Sequence, residues 1–92
     1  MSEADIVKAI LRYLKTVDQC FCWKEHGGMY GTAGIPDIIC CCRGRFYGFE
    51  VKTEKGRPTE LQKATIRKIN RAGGTAAIVR SVDDVRRILE TA

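Results

Sequence analysis

The stretch Gly34-Ile35-Pro36-Asp37, followed thirteen residues after Asp37 by Glu50-Val51-Lys52, determines how the rest of the chain is interpreted. Between these segments, two short apolar runs flank residues 43–45, and this pattern predicts two strands joined by a turn. Side chains alternate between the faces of a strand, so Glu50 and Lys52 project to the same side. A hairpin folded at Gly44 brings Asp37, at the start of its first strand, close to both. The sequence therefore predicts two carboxylates and an ammonium group at one edge of a sheet.

This predicted cluster has the composition of a site for a hard divalent cation. Two acidic oxygen ligands suit Mg²⁺, which keeps several waters and uses substrate phosphates for its remaining coordination. A neighbouring lysine can orient an attacking water and offset the charge that develops on a phosphate. A cluster of this kind can therefore hold a divalent cation beside a substrate phosphate.

Pro36-Asp37 and Glu50-Val51-Lys52 resemble the signature of PD-(D/E)xK nucleases. The surrounding residues are similar to the VRR-NUC domain, and the resemblance spans nearly the whole chain. It is carried by Gly34-Ile35-Pro36-Asp37, Phe49-Glu50-Val51-Lys52, Gln62 after the Gly56-x-Pro58 turn, and Gly73-Gly74 before a strand that ends in Val79-Arg80-Ser81. The resemblance implies a stand-alone VRR-NUC protein of the phage type, with a restriction-endonuclease-like core.

The resemblance also implies an activity, which is structure-selective cleavage of DNA, with branched DNA such as Holliday junctions as the substrate. Asp37 and Glu50 would hold Mg²⁺ or Mn²⁺ with the carbonyl of Val51, and Lys52 would orient the attacking water. No small-molecule cofactor is expected. The alternative is a nucleic-acid-binding module of the same fold without catalysis, and the intact Asp37, Glu50 and Lys52 argue against it.

The composition is that of one small α/β domain, residues 1–92, with a basic surface. The net charge is +5 and the pI about 9.1, which favours a polyanionic partner, although a soluble surface can be this basic without one. No run approaches the roughly 20 apolar residues of a membrane span, and the acidic N-terminus is unlike a signal peptide. We therefore expect a soluble, cytoplasmic protein without a membrane partner.

Five cysteines lie in two groups. Their odd number and the lack of a secretory signal argue against a disulfide framework. A zinc site is the alternative, but the spacing contains no CxxC, and neighbouring residues of a strand face opposite ways. We therefore predict small buried thiols at Cys20, Cys22, Cys40, Cys41 and Cys42.

The N-terminal residues predict a helix that starts at Ser2 as its N-cap and carries acidic residues in its first turn. An apolar stripe at helical spacing follows. Glu3 has two interpretations. It is either a first-turn acid favoured by the helix dipole or, as the resemblance to resolvase-like enzymes implies, a residue that reaches toward the metal site.

The second helix opens at Thr59, and its apolar spacing predicts that Leu61, Ile66 and Ile69 face the core. Two interpretations of Gln62, in its first turn, compete. Thr59 and Gln62 have the spacing of a capping box, which is a complete structural explanation for the glutamine. The resemblance instead brings Gln62 to the active site. A side chain that turns back to cap Thr59 is less free to reach a substrate.

Four cations surround this segment and are candidates for contacts with DNA phosphates. Lys55 and Arg57 lie in a polar turn just after the Glu-x-Lys strand, and Lys63 and Arg67 line the outer face of the second helix. For each pair the alternative is a turn or helix face that is simply solvated.

The order of predicted elements is α-β-β-β-α-β-α, which indicates a four-stranded mixed sheet flanked by helices, with Gly73-Gly74 ending the second helix. A glycine-rich loop over residues 27–34 is predicted either to form the rim of the active site and contact the DNA backbone or to be a plain flexible connection. Paired cuts in a branched duplex require two sites, so the resemblance implies a homodimer. The candidate surfaces are the run Cys20-Phe21-Cys22-Trp23 and the loop with Met29 and Tyr30, while one of the two aromatic residues of the run is expected to pack under the first helix.

Overall fold

The computed structural model describes residues 1–26 and 31–91, and it confirms the predicted order of elements. The predicted contributions of Met29 and Tyr30 to a dimer surface, and of residues 27–30 to the rim of the site, lie outside the described residues. None of the described helices is long and apolar enough to cross a membrane. The elements are α1 (Glu3–Leu14), β1 (Cys20–Lys24), β2 (Ile38–Cys42), β3 (Arg45–Val51), α2 (Glu60–Arg71), β4 (Thr75–Val79) and α3 (Val82–Glu90).

The four strands form one mixed sheet in the order β1-β2-β3-β4. β1, β2 and β3 are successive antiparallel neighbours, and β4 returns through α2 to pair in parallel with β3. The β2–β3 turn has positive φ angles at Arg43 (54°) and Gly44 (79°), the conformation of a two-residue type I′ turn. Such a short turn sets the register. Ile38 pairs with Phe49, and one further step along the ladder places Asp37 opposite Glu50.

One face of the sheet is covered by α1 and α3 and contains the main core. Tyr47, Phe49 and Val51 point to this side from alternate positions of β3, as the pleat requires. They pack against the apolar stripe of α1, in which Ile10 and Leu14 are fully buried. The predicted start of α1 is confirmed, because the Ser2 side chain accepts a hydrogen bond from the backbone of Asp5.

The other face is covered by α2, which packs against β3 and β4. No residue of α2 is fully buried, and Leu61, which its spacing predicted to face the core, is 52% exposed. Pro36 is fully buried here over Gly48, where a Cβ atom would lie 3.0 Å from the proline ring. At its C-terminal end α2 is closed as predicted, since Gly73 has a φ of 101° and the amide of Gly74 bonds back to the carbonyl of Ile69.

The expectation that either Phe21 or Trp23 packs under the first helix is wrong. Residues two apart on a strand share a face, and here Cys20 and Cys22 face α1. Phe21 and Trp23 therefore lie on the face that carries α2, at the far edge of the sheet, with exposed fractions of 71% and 42%. Their rings are in contact, with centroids 5.7 Å apart.

Candidate active site

The carboxylates of Asp37 and Glu50, called here the carboxylate pair, lie where β2 begins and β3 ends. Oδ2 of Asp37 accepts a 2.8 Å hydrogen bond from the backbone amide of Val51, which fixes the aspartate against the neighbouring strand. Glu50 is buried, with 3% of its surface exposed, on the sheet face that α2 covers. The predicted hairpin thus brings the two carboxylates together.

The surroundings of Glu50 raise its pKa from 4.5 to about 8. Burial is the largest cause, because it disfavours the charged form of a carboxyl group. The adjacent Asp37 adds a hydrogen bond and a like charge, and Lys52 opposes the shift. The pair therefore binds a proton more readily than an isolated carboxylate does, and a cation placed beside it would favour release of that proton.

Lys52 completes the cluster predicted from the Glu-x-Lys spacing. Its Nζ atom lies 3.8 Å from Oε2 of Glu50, and both side chains are largely buried. The amide of Lys52 donates to the carbonyl of Val79, so the end of β3 is held by β4 beyond the last pair of the ladder. Asp37, Glu50 and Lys52 therefore converge at one edge of the sheet.

Gln62 forms both of the contacts that were considered as alternatives, one with the helix cap and one with Glu50. Its Oε1 atom accepts a 2.9 Å hydrogen bond from the amide of Thr59, and the Thr59 hydroxyl accepts from the amide of Gln62, which forms the capping box. Its Nε2 atom donates to Oε2 of Glu50 at 3.4 Å. The two interpretations do not exclude each other, because a side-chain amide carries an acceptor at one end and a donor at the other.

Glu3 is exposed in the first turn of α1, where an acidic side chain interacts favourably with the helix dipole. Its negative charge is also the smallest of the causes that raise the pKa of Glu50. The hydrogen bonds and ion pairs of the described residues do not connect Glu3 to the carboxylate pair, and its catalytic role remains a prediction.

The four predicted phosphate-contacting cations are exposed. Arg57 donates to the neighbouring carbonyl of Gly56 at 3.3 Å, and Lys63 forms an ion pair with Glu60 at 3.3 Å. The hydrogen bonds and ion pairs of the described residues do not connect Lys55, Arg57, Lys63 or Arg67 to the carboxylate pair. These side chains are arranged around the β3–α2 connection and along α2, accessible to a large ligand.

Two neighbours of the site were not anticipated. The amide of Glu25 donates to the carbonyl of Asp37 at 2.8 Å, so this glutamate continues the β1–β2 ladder beside the pair. Glu25, His26 and Asp37 line a cavity of about 280 Å³ together with residues 31–35. The Glu25 carboxylate accepts a hydrogen bond from the Trp23 indole at 2.8 Å. The register of β1 against β2 would have placed Glu25 beside Asp37, but the sequence alone does not reveal that register.

Arg80 is the other neighbour that was missed as a site residue. Its guanidinium group donates to carbonyl oxygens in residues 53–56, directly after Lys52. The signal in the sequence was indirect. Arg80 immediately follows β4, and the ends of parallel strands meet at the same edge of a sheet, so the parallel pairing had to be known first.

The five thiols lie on the neighbouring strands β1 and β2. No group of three or more His, Cys, Asp or Glu side chains in residues 1–26 and 31–91 is arranged to hold a metal ion. Cys40 and Cys42 are buried and Cys20 and Cys22 partly so, whereas Cys41 is exposed against expectation. Sγ of Cys20 lies 3.0 Å from Sγ of Cys40, and burial raises the pKa of both thiols.

Comparisons with known proteins give the fold a name. No family model matches the sequence, and no curated protein matches it. Among solved structures, one described as "VRR_NUC domain" superimposes with a TM-score of 0.79 at 20% identity, covering 98% of this chain and 97% of the other. A second, described as "VRR_NUC domain protein", gives a TM-score of 0.76 at 19% identity over 99% of this chain and 87% of the other. The resemblance seen in the motifs is therefore confirmed in three dimensions, and the chain has the VRR_NUC fold.

Proposed function

We propose that this protein is a metal-dependent DNA endonuclease that hydrolyses phosphodiester bonds in branched DNA. The convergence of Asp37, Glu50 and Lys52 at one edge of the sheet carries the proposal. The name of the structural neighbours points to the same class, since VRR-NUC domains are nuclease domains. A four-way junction is the substrate that the family resemblance favours.

The residues at this edge fit a hard divalent cation. Asp37 and Glu50 supply anionic oxygens, and the Val51 carbonyl is a candidate third ligand. The raised pKa of Glu50 supports this fit. It indicates that the buried carboxyl, beside a second carboxyl, lacks a nearby positive charge strong enough to keep it ionised, which a bound cation would supply. Sites for Mg²⁺ commonly use one or two protein carboxylates together with waters and substrate phosphate. Mg²⁺ or Mn²⁺ would supply Lewis-acid stabilisation of charge on the phosphate.

The side chains around the pair have separable tasks in this proposal. Lys52 orients the water that attacks the phosphorus and offsets the charge that develops in the transition state. Gln62 holds the Glu50 carboxyl group through its Nε2 atom while its Oε1 atom is fixed by the start of α2. Glu3 assists from the start of α1. Because Gln62 is anchored at both ends, Glu50 is oriented before a substrate arrives.

The exposed cations position the DNA. Lys55 and Arg57 follow the catalytic strand directly, and Lys63 and Arg67 extend the same charge along α2. Contacts of this kind are made to phosphates, so they provide affinity without a preference for base sequence. The net charge of +5 is consistent with a polyanionic ligand.

The test compares the parent protein with Lys52→Ala on labelled linear, flapped and four-way DNA, with and without Mg²⁺ or Mn²⁺. The variant should lose cleavage by a factor of about 10²–10³ while it still folds and binds DNA, since the lysine acts on the transition state. Lys8→Ala, an exposed lysine on α1, is the matched control and should cleave as the parent does. Cleavage by Lys52→Ala at the rate of the parent would remove the basis for the assignment. A parent that binds junctions in Mg²⁺ without cutting them would instead identify a binding module.

We further propose that the protein acts as a homodimer, so that two sites can cut a branched duplex symmetrically. The exposed, contacting rings of Phe21 and Trp23 support a dimer surface on the sheet face beside β1. Light scattering at micromolar concentration should give twice the 10.3 kDa mass of the chain. Phe21→Ser combined with Trp23→Ser should restore the monomer mass. A monomer across the whole concentration range would direct attention to nicking or flap-directed cleavage.

A further inference from the structure

Arg80 forms an unusual set of contacts with the connection between β3 and α2. Its Nη1 atom, which carries two N–H groups, lies within hydrogen-bonding distance of three carbonyl oxygens: that of Thr53, that of Gly56 at 2.9 Å and that of Glu54 at 3.2 Å, so that one N–H is shared between two of them. A guanidinium group is always charged and has no acceptor, so three backbone carbonyls are a good match for it. One side chain from the end of β4 thus holds the segment of residues 53–56, called here the Arg80-bound turn.

The turn has little else to hold it. Within residues 53–58, all of which the structure describes, the backbone forms a single backbone–backbone hydrogen bond, from Gly56 to Thr53. The whole connection between β3 and α2, residues 52–59, lies outside regular secondary structure. A segment with few internal bonds opens locally at low free energy unless contacts from elsewhere restrain it.

Arg80 is itself held firmly. Its amide donates to Oδ2 of Asp84 at 2.8 Å, and this bond is the main reason that the pKa of Asp84 is lowered. Ser81, the next residue, is the N-cap of α3 and accepts a hydrogen bond from the amide of Asp84. The backbone of Arg80 is therefore fixed between the end of β4 and the first turn of α3, and its side chain extends from that support.

Residues that the proposed nuclease uses lie within the Arg80-bound turn and on either side of it. Lys52 precedes it directly, and Lys55 lies within it. Arg57 follows, and the chain then enters α2, where Gln62 contacts Glu50. A shift of the turn would displace these cations first, because the carboxylate pair is held separately by the hydrogen bond that the Val51 amide donates to Asp37.

We infer that Arg80 is a positioning residue that holds the Arg80-bound turn so that Lys55 and Arg57 meet the DNA backbone; this inference rests on the proposed function. Arg80 uses its hydrogen bonds on the protein's own carbonyl groups. It acts on DNA through the turn. Its loss should weaken binding through the two neighbouring cations and leave the carboxylate pair assembled.

A double-mutant cycle tests this coupling. The first change is Arg80→Met, which keeps an aliphatic side chain and removes the donors, and the second is Lys55→Ala with Arg57→Ala. In the parent, removing the two cations should reduce affinity for a four-way junction and lower the slope of log affinity against log salt by about two units, since each phosphate contact contributes about one. In the Arg80→Met background the same change should have little further effect on either quantity, which a general loss of stability would not produce.

Limited proteolysis provides a readout that needs no DNA. Trypsin can cut after Lys55, whereas the bond after Arg57 is protected by Pro58. Arg80→Met should accelerate the cut after Lys55 by about tenfold, because local opening exposes the turn. Arg12→Met, a matched loss of one exposed arginine on α1, should leave it at the parent's rate. Arg80→Lys keeps a positive charge and hydrogen-bond donors at this position, so it should protect the bond better than Arg80→Met does.

The outcomes separate the inference from the proposed function. Equal loss of affinity on removing Lys55 and Arg57 in both backgrounds would overturn the positioning role, as would unchanged protection of Lys55 in Arg80→Met. If the parent itself binds no DNA, the proposed function fails and the role of the turn in DNA binding fails with it. Should Arg80→Met lack a cooperative unfolding transition, Arg80→Gln takes its place in the cycle, with the same expected and contrary results.

Discussion

Replacing Glu50 by glutamine should stabilise the metal-free protein, and the gain should grow as the pH rises. The carboxyl releases its proton at about pH 8 in the folded state and near 4.5 when unfolded. Between these values the unfolded chain binds fewer protons, so the free energy of unfolding of the parent falls as pH increases. Glutamine has the shape of the protonated acid and cannot ionise, so Glu50→Gln removes this decline.

The size of the effect follows from the shift in pKa. A rise from 4.5 to about 8 at roughly 1.36 kcal/mol per unit would amount to at most about 5 kcal/mol. The pKa of about 8 already includes the opposing charge of Lys52. Relaxation of the site around the charge lowers the figure further, so we expect a gain of about 3 kcal/mol at pH 8.5 and less than about 1 kcal/mol at pH 5. Such a gain is a large part of the 5–15 kcal/mol that stabilises a typical domain.

Urea unfolding in EDTA at pH 5, 7 and 8.5 measures the difference. Glu90→Gln, at an exposed position in α3, is the matched control and should follow the parent at every pH. Added Mg²⁺ or Mn²⁺ at pH 8.5 should stabilise the parent more than Glu50→Gln, since the variant lacks one anionic ligand. Parallel pH profiles for the parent and Glu50→Gln would show that the buried carboxyl does not carry a raised pKa, and the reasoning about a missing countercharge would fail.

Three further predictions follow from contacts around the site. Gln62→Glu should keep the helix cap but lose cleavage, because a glutamate side chain accepts the hydrogen bond from the Thr59 amide but cannot donate one to Glu50. Gln62→Leu should lose cleavage and also about 1 kcal/mol of stability. Unfolding and cleavage assays on both variants separate the two functions. Gly34→Ala should destabilise the fold by about 1–3 kcal/mol, since φ is 82° and the new Cβ would lie 2.7 Å from Oγ1 of Thr65; equal melting temperatures would contradict this. Neutralising Lys63 and Arg67 together should lower the salt slope of DNA binding by about two units, and an unchanged slope would mean that they only face water.

The parts of the fold that were predicted correctly depend on local patterns. The apolar stripe of α1, its N-cap at Ser2 and the glycine end of α2 are all set by residues within a few positions of one another. The same is true of the hairpin at Gly44. Because a two-residue turn determines the register of both its strands, the sequence alone was enough to place Asp37 near Glu50.

The parts that were missed depend on which elements meet in three dimensions. Leu61 is exposed because α2 covers less of the sheet than its apolar spacing suggested. Phe21 and Trp23 point away from the first helix because the pairing of β1 puts the thiols on that side. Arg80 could not be connected with Thr53 without knowing that β4 lies parallel to β3. In each case the sequence shows the type of residue but not which residues lie next to it in the folded protein.

The two-sided attachment of Gln62 has a consequence for the kinetics of folding. The carboxylates of Asp37 and Glu50 belong to one hairpin, and such hairpins close within about 1–10 μs. Glu50 becomes buried only when α2 packs against the sheet. The pairing of Tyr47 with Thr75, which brings β4 to β3, requires closure of a much longer loop than the hairpin does. We therefore expect burial of the carboxyl to form after the main barrier, so that a change at this position would have a φ-value near zero. The stability gained by Glu50→Gln should consequently appear as slower unfolding, with the refolding rate nearly unchanged.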